Sequence, residues 1–435
     1  MSSLAESEDT ELAQRTVRKV MWRLVPFAGL LYLLAYLDRV NIGFAALTMN
    51  ADLQLSATAY GAAAGIFSLG YILFEVPSNI MLERVGARLW ITRIMISWGM
   101  VSAAMALAQG PYSLSALRFV LGVAEAGLLP GIVFYFSQWI PTKQRARIMS
   151  GFFIALPLAF IVGAPISTAI LSLDWLGLRG WQWMFILEGV ASSIVGVAVF
   201  FYLTDRPRDA KWLTDEERHW LVTTLEAEYA ARGGAKVSEL RHGLTNPHVL
   251  LLGVMYAGAL AASGSFGFWL PLIIKSLGGL NNVQVGLLTT MPYIVAVFAI
   301  MPWSRHAETT GELKWHVCLP MLLAAIGFAL SAWVSDPRYM VVLIGLTVVL
   351  IYIVPPVFWT MATRTLNGPA AAAGIALINC IASFGSYIGP QLMGYLKDAT
   401  GSYRPGLVLL SAFLFLATAL GLWLNRKTAL PSSAH

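Results

Sequence analysis

Twelve apolar segments, each long enough to cross a bilayer, follow one another along the 435-residue chain. About 20 predominantly apolar residues span the hydrocarbon core, and in lipid the backbone must satisfy its own hydrogen bonds, so such long segments predict helices. Only 12% of the residues are charged, against about 25% in an ordinary soluble domain. The sequence therefore predicts an all-α membrane protein whose twelve transmembrane helices lie near residues 22–48, 57–82, 87–109, 111–139, 146–172, 182–204, 248–275, 283–303, 316–335, 338–363, 370–396 and 403–424.

One long polar stretch divides these helices into two groups of six. It contains the segment LTDEERHWLVTTLEAEYAA, which is typical of an amphipathic helix. The predicted organisation is an N-terminal segment, a first six-helix bundle, an interdomain loop with that helix, a second six-helix bundle and a tail, at residues 1–21, 22–204, 205–247, 248–424 and 425–435.

The basic residues predict how the chain is oriented in the membrane. One side of the bundle receives Arg15, Arg18, Lys19, Arg23, Arg84, Arg88, Lys143, Arg145, Arg147, most of the central basic residues, Arg426 and Lys427. The other side receives mainly Arg179, Lys275, Arg338, Lys397 and Arg404. Because cytoplasmic connections are enriched in Lys and Arg, both termini and the central loop are expected in the cytoplasm. The basic residues are spread over many connections, which argues against a nucleic-acid partner.

The two halves share a repeat with an offset of 225 residues. It relates Glu83 to Glu308, Gly86 to Gly311, Trp90 to Trp315 and Pro165 to Pro390. Two six-helix repeats are typical of transporters whose substrate site lies at the bilayer midplane, between the halves.

Four charged residues lie well inside the first and fourth apolar helices: Asp38, Arg39, Arg118 and Glu125. A charge at the bilayer centre costs at least roughly 2.5–3.5 kcal/mol, so such residues usually face a cavity and are functional. Asp38 and Arg39 are about 100° apart around a helix, so at least one should pair with a neighbouring helix. Arg118 and Glu125 are seven positions apart and are expected on one helix face. The repeat places no charge at the corresponding positions of the second half, so we interpret these four as additions to a common scaffold.

Several segments resemble the major facilitator superfamily. NIMLERVGAR, residues 79–88, is similar to its signature loop between the second and third helices. The pattern of the anion:cation symporter family is closer still, in YLDRVNIGFA, LRFVLGVAEAGLLPGIVFYFSQWIP, GWQWMFILEG and SYIGPQLMGYLKDATGSY. This resemblance implies two six-helix repeats and a proton-driven importer of small organic carboxylates in a bacterial inner membrane.

The resemblance also implies roles for individual residues. Asp38 and Glu125 are assigned to proton coupling, Arg39 to the substrate carboxylate and Arg118 to tuning of the acids. Tyr36, Tyr71, Trp359 and Asn379 match substrate-facing positions, whereas Glu83, Arg84 and Arg88 match a gating loop that touches no substrate. A buried salt-bridge network that only fixes helix register is the structural alternative for the four charges. Glu75 is interpreted either as a gating residue or as a side chain that extends to the membrane–water interface, and Glu188 is interpreted as structural.

The fifth helix constrains the substrate, because it has no polar side chain before Ser167. Few polar partners favour a hydroxy-dicarboxylate such as tartrate, or an aromatic acid such as phthalate or hydroxyphenylacetate, over a strongly hydroxylated ligand. An anion exchanger or exporter remains an alternative, as does a membrane sensor with the transporter fold. No nucleophile–base pair, phosphate loop or metal cluster is recognisable, so we expect no enzyme and no cofactor besides the coupled proton. The expected partners are the substrate anion, protons and lipid around a monomer.

Overall fold

The computed structural model describes residues 2–142, 155–232, 246–365 and 370–428, which are almost entirely helical. The helices are α1 Ser2–Asp52, α2 Ala57–Val85, α3 Ala87–Ala104, α4 Pro111–Glu125, α5 Leu128–Trp139, α6 Ala155–Ile170, α7 Gly180–Tyr202, α8 Asp215–Arg232, α9 Pro247–Ser276, α10 Asn282–Thr310, α11 Leu313–Trp333, α12 Pro337–Tyr352, α13 Val354–Thr365, α14 Ala370–Thr400 and α15 Arg404–Thr428. Among the described residues, eleven segments are long and apolar enough to cross a membrane, with α4–α5 and α12–α13 each forming one. The apolar helix α6 is shorter within the described residues.

Side-chain caps define several helix starts. The Ser56 hydroxyl accepts the Ala59 N–H at 3.1 Å, and the Asn281 side chain accepts the Gln284 N–H at 2.9 Å. The Gln284 side chain in turn accepts the Asn281 N–H at 2.9 Å. These residues satisfy backbone donors that have no partner inside the helix.

Helix bounds in the two halves share the 225-residue offset. Helix α2 begins at Ala57 and ends at Val85, and α10 begins at Asn282 and ends at Thr310, so both ends differ by 225. The glycines that follow these helices, Gly86 and Gly311, both have positive φ, 99° and 72°. The repeat seen in a few letters is thus present in the backbone.

The fourth and tenth spans, predicted over 111–139 and 338–363, are confirmed, but each consists of two helices with a break between them. The first break lies between Glu125 and Leu128, where Gly127 adopts a left-handed φ of 88°. The second lies at Ile353, just before two consecutive prolines that cannot continue the helical hydrogen bonding. Interrupted helices at corresponding positions of two repeats are typical of a transporter binding site.

Residues 2–21 of the predicted N-terminal segment are helical and continue into the first span as one helix, α1. Glu217 of α8 holds this extension by accepting Lys19 Nζ at 2.8 Å, and Arg15 Nε lies 3.3 Å from the same carboxylate. Burial raises the pKa of Glu217, but the hydrogen bond and charge of Lys19, with Thr214 N–H and Arg15, outweigh burial and hold it below its usual value. The contact is therefore stabilising above the ordinary glutamate pKa and is lost as pH falls through the lowered value.

The two halves meet at one end of the bundle, which we call the far face because it lies opposite α8 and the start of α1. There the Tyr60 hydroxyl of α2 donates to the Phe268 carbonyl of α9 at 2.9 Å. Asp398 of α14 accepts the N–H groups of Ala57 and Thr58 at 3.0 and 2.7 Å, capping α2 from the other half. The described halves are therefore closed against each other at the far face.

Candidate functional site

Asp38 and Arg39 point in different directions from α1, as their separation of about 100° predicts. Arg39 reaches α4, where its Nε and Nη2 atoms each lie 2.7 Å from Oε1 of Glu125. The Arg39 side chain is 23% exposed and that of Glu125 is 1% exposed. The pair thus joins a buried carboxylate to a guanidinium that is still partly open.

Aromatic rings surround the Arg39 guanidinium. Its Cζ atom lies 4.8 Å from the ring centroid of Tyr71 and 5.2 Å from those of Tyr36 and Phe67. These cation–π contacts hold the planar cation in place without using its hydrogen-bond donors. Tyr36 and Tyr71, both predicted to face substrate, therefore border the cation that is predicted to bind it.

Glu125 is presented by the break in the fourth span. It is the last residue of α4, and the turn at Gly127 follows directly. Ser78 of α2 donates to the Ala126 carbonyl at 2.6 Å and accepts from the Trp90 indole at 2.9 Å, which fixes this turn. A side chain at Gly127 would collide with Ser78. The sequence AEAG therefore places the carboxylate at a helix end, where one backbone carbonyl is satisfied from outside.

Arg118 does not pair with Glu125, although the two were expected on one helix face. It is fully buried, with its Nε 3.4 Å from the Ala63 carbonyl and its Cζ 4.9 Å from the Phe67 ring centroid. Both terminal nitrogens lack a hydrogen-bond partner among the described residues. The Glu125 carboxylate is bonded to Arg39 instead. A shared helix face therefore does not bring Arg118 into contact with Glu125. The tuning role assigned to Arg118 stays a prediction.

Asp38 lies on another side of α1, 1% exposed, and forms no ion pair with any residue that the structure describes. Its carboxylate accepts only from neutral donors: the Trp98 indole, Ser102 Oγ at 2.7 Å, Asn41 Nδ2 at 3.1 Å and Ser192 Oγ at 3.2 Å. These donors come from α1, α3 and α7. Asp38 and Arg39 therefore meet different neighbouring helices, α3 and α7 for Asp38 and α4 for Arg39.

Asn41 extends this hydrogen-bond network to a second acid. Its Nδ2 also donates to Glu188 Oε2 at 2.9 Å, and Ser167 Oγ donates to Glu188 Oε1 at 3.0 Å. Glu188 is 6% exposed and so is not a lipid-facing residue of a peripheral helix. Sequence reasoning did not assign Asn41 or connect the two acids, yet Asn41 is three positions after Asp38 and therefore shares its face of α1.

The second half contributes an amide and an aromatic group. Asn379 Nδ2 donates to Glu75 Oε1 at 3.1 Å, so this predicted substrate residue bridges the halves. Trp359 packs edge-on against Tyr256, with ring centroids 5.4 Å apart, and Tyr256 stacks on Phe358 at 4.2 Å. Glu75 therefore belongs with the inter-half residues, whereas Trp359 is held in an aromatic cluster.

The predicted gating loop is only partly tied down. Arg88 donates its backbone N–H to Asp205 Oδ1 at 2.8 Å, and its Nε lies 3.9 Å from Oδ2. Glu83 and Arg84 are exposed and form no ion pair with another described residue. The basic residues predicted in the following connection, within 143–154, lie outside the described residues. The loop is thus linked to the end of α7 through Asp205.

Comparisons with known proteins agree with this architecture. The family model described as "Major Facilitator Superfamily" matches residues 28–282. The chain is 50% identical over 421 residues, 96% of each chain, to the Agrobacterium vitis protein named "Putative tartrate transporter". It is 38% identical over 405 residues, 93% of each chain, to the Acinetobacter baumannii protein named "Quinolone resistance transporter".

A solved structure shows the same fold. It is described as a bacterial homologue of the human lysosomal transporter Spinster, in an inward-facing and unoccupied conformation. The TM-score is 0.76 at 16% identity, over 95% of this chain and 99% of that one. The family model and the full-length relatives make this protein a transporter rather than an enzyme. The chain belongs to the major facilitator superfamily.

Proposed function

We propose that this protein imports a small organic carboxylate together with protons, by exposing the Arg39 site to the two membrane faces in turn. The ion pair of Arg39 with Glu125 carries this proposal. It combines a guanidinium that is 23% exposed with a carboxylate that is 1% exposed. The partly exposed Arg39 can bind an arriving anion. The buried Glu125 can hold a proton that does not exchange freely with water.

Competition for Arg39 provides the coupling. Glu125 occupies the guanidinium edge formed by Nε and Nη2, and this is an edge that can also receive a substrate carboxylate bidentately. An ionised Glu125 displaced from Arg39 would be a buried, unpaired charge at a cost of roughly several kcal/mol. A protonated Glu125 is neutral, so its displacement from Arg39 costs much less free energy. Anion binding therefore favours protonation of Glu125, and protonation favours anion binding by the same factor.

The remaining predicted residues take supporting roles in this proposal. Asp38 is a second proton-binding residue, and Arg118 supplies a fixed positive charge to both acids. Tyr36, Tyr71, Trp359 and Asn379 border the anion, with Asn379 released from Glu75 when substrate binds. Glu83, Arg84 and Arg88 act at the connection between α2 and α3 and do not touch the substrate.

The substrate we favour is a hydroxy-dicarboxylate of the tartrate type. The name of the Agrobacterium relative supports this choice. The structure adds that Ser167, the first polar side chain of α6, is already bonded to Glu188. The site therefore offers few partners to a strongly hydroxylated acid. An aromatic acid such as phthalate is the second choice, because the rings of Tyr36, Phe67 and Tyr71 surround Arg39 and Trp359 lies in an aromatic cluster.

Export or exchange of an organic anion is the alternative, and the name of the Acinetobacter relative favours keeping it. A sensor has less support. The central helix α8, its candidate partner surface, already contacts the first half through Glu217 and through Glu228, which accepts from Thr142 at 2.6 Å.

The test uses purified protein in liposomes that contain a pH-sensitive dye. Tartrate, galactonate, phthalate, 4-hydroxyphenylacetate and succinate are added outside in turn, and internal acidification is followed. We expect acidification with tartrate, loss of acidification in Glu125→Gln, and a weakened apparent tartrate affinity in Arg39→Gln. Uptake of labelled tartrate without acidification would refute symport. Uptake only into liposomes preloaded with tartrate would instead identify an exchanger.

A further inference from the structure

We propose that Glu188 is a further proton-binding residue of the transport cycle, paired with Asp38 through the Asn41 amide. The inference rests on the proposed proton coupling and extends it to a residue outside the Arg39 site. Asn41 acts as the positioning residue of the pair, because it hydrogen-bonds to both acids and does not contact the substrate. Its place on the Asp38 face of α1 sets the spacing of the two acids.

The two acids are close together and buried. Asn41 Nδ2 donates one hydrogen to Asp38 Oδ1 at 3.1 Å and the other to Glu188 Oε2 at 2.9 Å. Two oxygens that share one donor at these distances lie at most about 6 Å apart, within the range over which like charges disfavour ionisation. The side chains are 1% and 6% exposed. Two neighbouring buried carboxylates cannot both ionise cheaply, so the pair retains a proton.

No described cation is bonded to either acid, although the charge of the buried Arg118 guanidinium reaches Asp38 without an ion pair. Arg39, on α1, is bonded to Glu125, and Arg118 of α4 contacts Ala63 and Phe67 instead. On α3, Arg88 faces Asp205 and Arg93 lies over the Trp90 ring. From α6 the facing group is the neutral Ser167, and from α7 it is the neutral Ser192. Neither acid forms an ion pair with a described residue.

The donors are unequally shared, which places the proton on Glu188 in this conformation. Asp38 accepts from four donors, and Glu188 accepts from two. Hydrogen bonds to a carboxylate stabilise its ionised form, so Asp38 is the ionised member. A proton moving from Glu188 to Asp38 leaves Glu188 ionised and Asp38 neutral, and the charge of the pair stays at one negative unit.

Asn41 can serve either arrangement. Its Oδ1 atom is buried and has no hydrogen-bond partner among the described residues. Rotation of the amide turns this acceptor towards the acids, where it can receive the hydrogen of whichever carboxyl is protonated. A buried acceptor with no partner is costly in a group that has only a structural role.

The repeat argues that the cluster is not needed to build the fold. At the 225-residue offset, Asp38 corresponds to Ser263, Asn41 to Phe266 and Glu188 to Phe413. The second half forms the equivalent helices α9 and α15 without any acid at these positions. A pair of buried acids is a costly way to fix helix register, and the second half forms the equivalent helices with uncharged residues at these positions.

The cluster also adjoins the contact that closes the far face. Ser167 precedes Thr168, and a side chain at Gly286 of α10 would collide with Thr168. Helices α6 and α10 belong to different halves, so opening of the far face separates them and brings water towards Ser167. Glu188 is then the acid of the pair that lies nearest to the entering proton.

The experiment compares the wild type with Glu188→Gln, which keeps the shape and can keep both hydrogen bonds. Proton-driven tartrate uptake is measured as a function of external pH, together with tartrate counterflow at equal pH on both sides. Without its like-charged neighbour, Asp38 binds a proton only at lower pH, so the pH of half-maximal uptake should fall by about one unit. Counterflow should remain, because the Arg39 site is unchanged. An unchanged pH profile would overturn the proposal.

Adjacent serines provide matched variants that leave the acids in place. Ser167→Ala withdraws a donor from Glu188 and should raise the pH of half-maximal uptake, because the ionised form loses a hydrogen bond. Ser193→Ala is the control. The Ser193 hydroxyl donates to the Ile96 carbonyl at 3.4 Å, outside the cluster, so its removal should not shift the pH of half-maximal uptake. If Glu188→Gln does not fold, this pair decides the question, and equal profiles for the two variants would refute the proposal.

A measurement without substrate separates this proposal from the proposed transport activity. Infrared titration of the purified wild type should show a protonated carboxyl band that disappears at alkaline pH and is reduced in Glu188→Gln. A band of the same size and pH dependence in the variant would refute the role of Glu188. If instead the wild type carries tartrate without acidification, it is the proposed symport that fails, whatever Glu188 binds.

Discussion

Asp38 and Arg39 are consecutive residues with different kinds of partner. Arg39 has a charged partner on α4 and is partly open, whereas Asp38 has only neutral donors and is closed. The energetic consequences differ accordingly. A buried ion pair is a poor net stabiliser, but removal of one member leaves the other without compensation.

At this scale we predict that single substitutions of Arg39 and Glu125 reduce the stability of the protein by different amounts. Arg39→Gln leaves the 1% exposed carboxylate unpaired, at a cost of about 3 kcal/mol. Glu125→Gln leaves a guanidinium that can still reach water, so it should destabilise less. The double variant should unfold at a higher temperature than Arg39→Gln alone.

Thermal unfolding of the three purified variants in one detergent measures these differences. Additive effects of the two single changes would show that the pair does not interact in the protein. The order of the single variants is the more specific outcome, since it follows from the unequal exposure of the two side chains.

At the scale of elements, close helix contacts hold the halves together at the far face. Helices α2 and α14 approach so closely there that side chains at Gly61 and Gly65 would overlap the Pro390 and Tyr387 carbonyls. Contacts that depend on small residues suit helices in lipid, where association relies on close packing. These glycines lie between halves and not within one, so they affect the arrangement of the halves more than their folding.

We therefore predict that Gly61→Val favours opening of the far face. The reporter is Thr168→Cys, which lies fully buried where α6 meets α10, in a protein whose Cys318 and Cys380 are replaced by Ala. Labelling by a polar maleimide in detergent should be faster with Gly61→Val. Gly29→Val is the control, because a side chain at Gly29 would meet no atom within 4 Å. Equal labelling rates would show that the α2–α14 contact does not keep this face closed.

At the scale of the whole molecule, the backbone repeats but the charges do not. In the described membrane-spanning helices the buried Asp, Glu and Arg side chains are Asp38, Arg118, Glu125 and Glu188, all in the first half, while Asn379 and Trp359 come from the second. The proposed division of labour is that one half holds the charge chemistry and the other completes the binding surface. The basic residues in the connections between helices set the orientation of the chain in the membrane, because Lys and Arg are enriched on the cytoplasmic side.

That enrichment predicts that both termini lie on the cytoplasmic side of the membrane. A fluorescent protein that matures only in the cytoplasm, fused after residue 435, should therefore be bright. Alkaline phosphatase inserted into the connection at 277–281, on the far face, should be active because it reaches the periplasm. The reverse pattern would contradict the orientation, and with it the direction assigned to import.

Much of this architecture is predictable from the sequence, for a physical reason. Hydropathy over about 20 residues depends only on the local chain and on bilayer thickness, so the number of spans and their division into two sixes are readable. The 225-residue repeat is likewise a property of the letters. The cost of charge in lipid identified Asp38, Arg39, Arg118 and Glu125 as unusual residues before any contact was known.

The partners of those residues were decided only by tertiary structure. Regular helical spacing associated Arg118 with Glu125, but the neighbour that α1 presents to α4 is Arg39. Asp38 and Glu188 are 150 positions apart in sequence, and only the packing of α1 against α7 lets Asn41 join them. The chain by itself determined which groups were too costly to bury alone. The packing of helices determined which group compensates each one, because hydrogen bonds and ion pairs act over a few ångströms between segments that are distant in sequence.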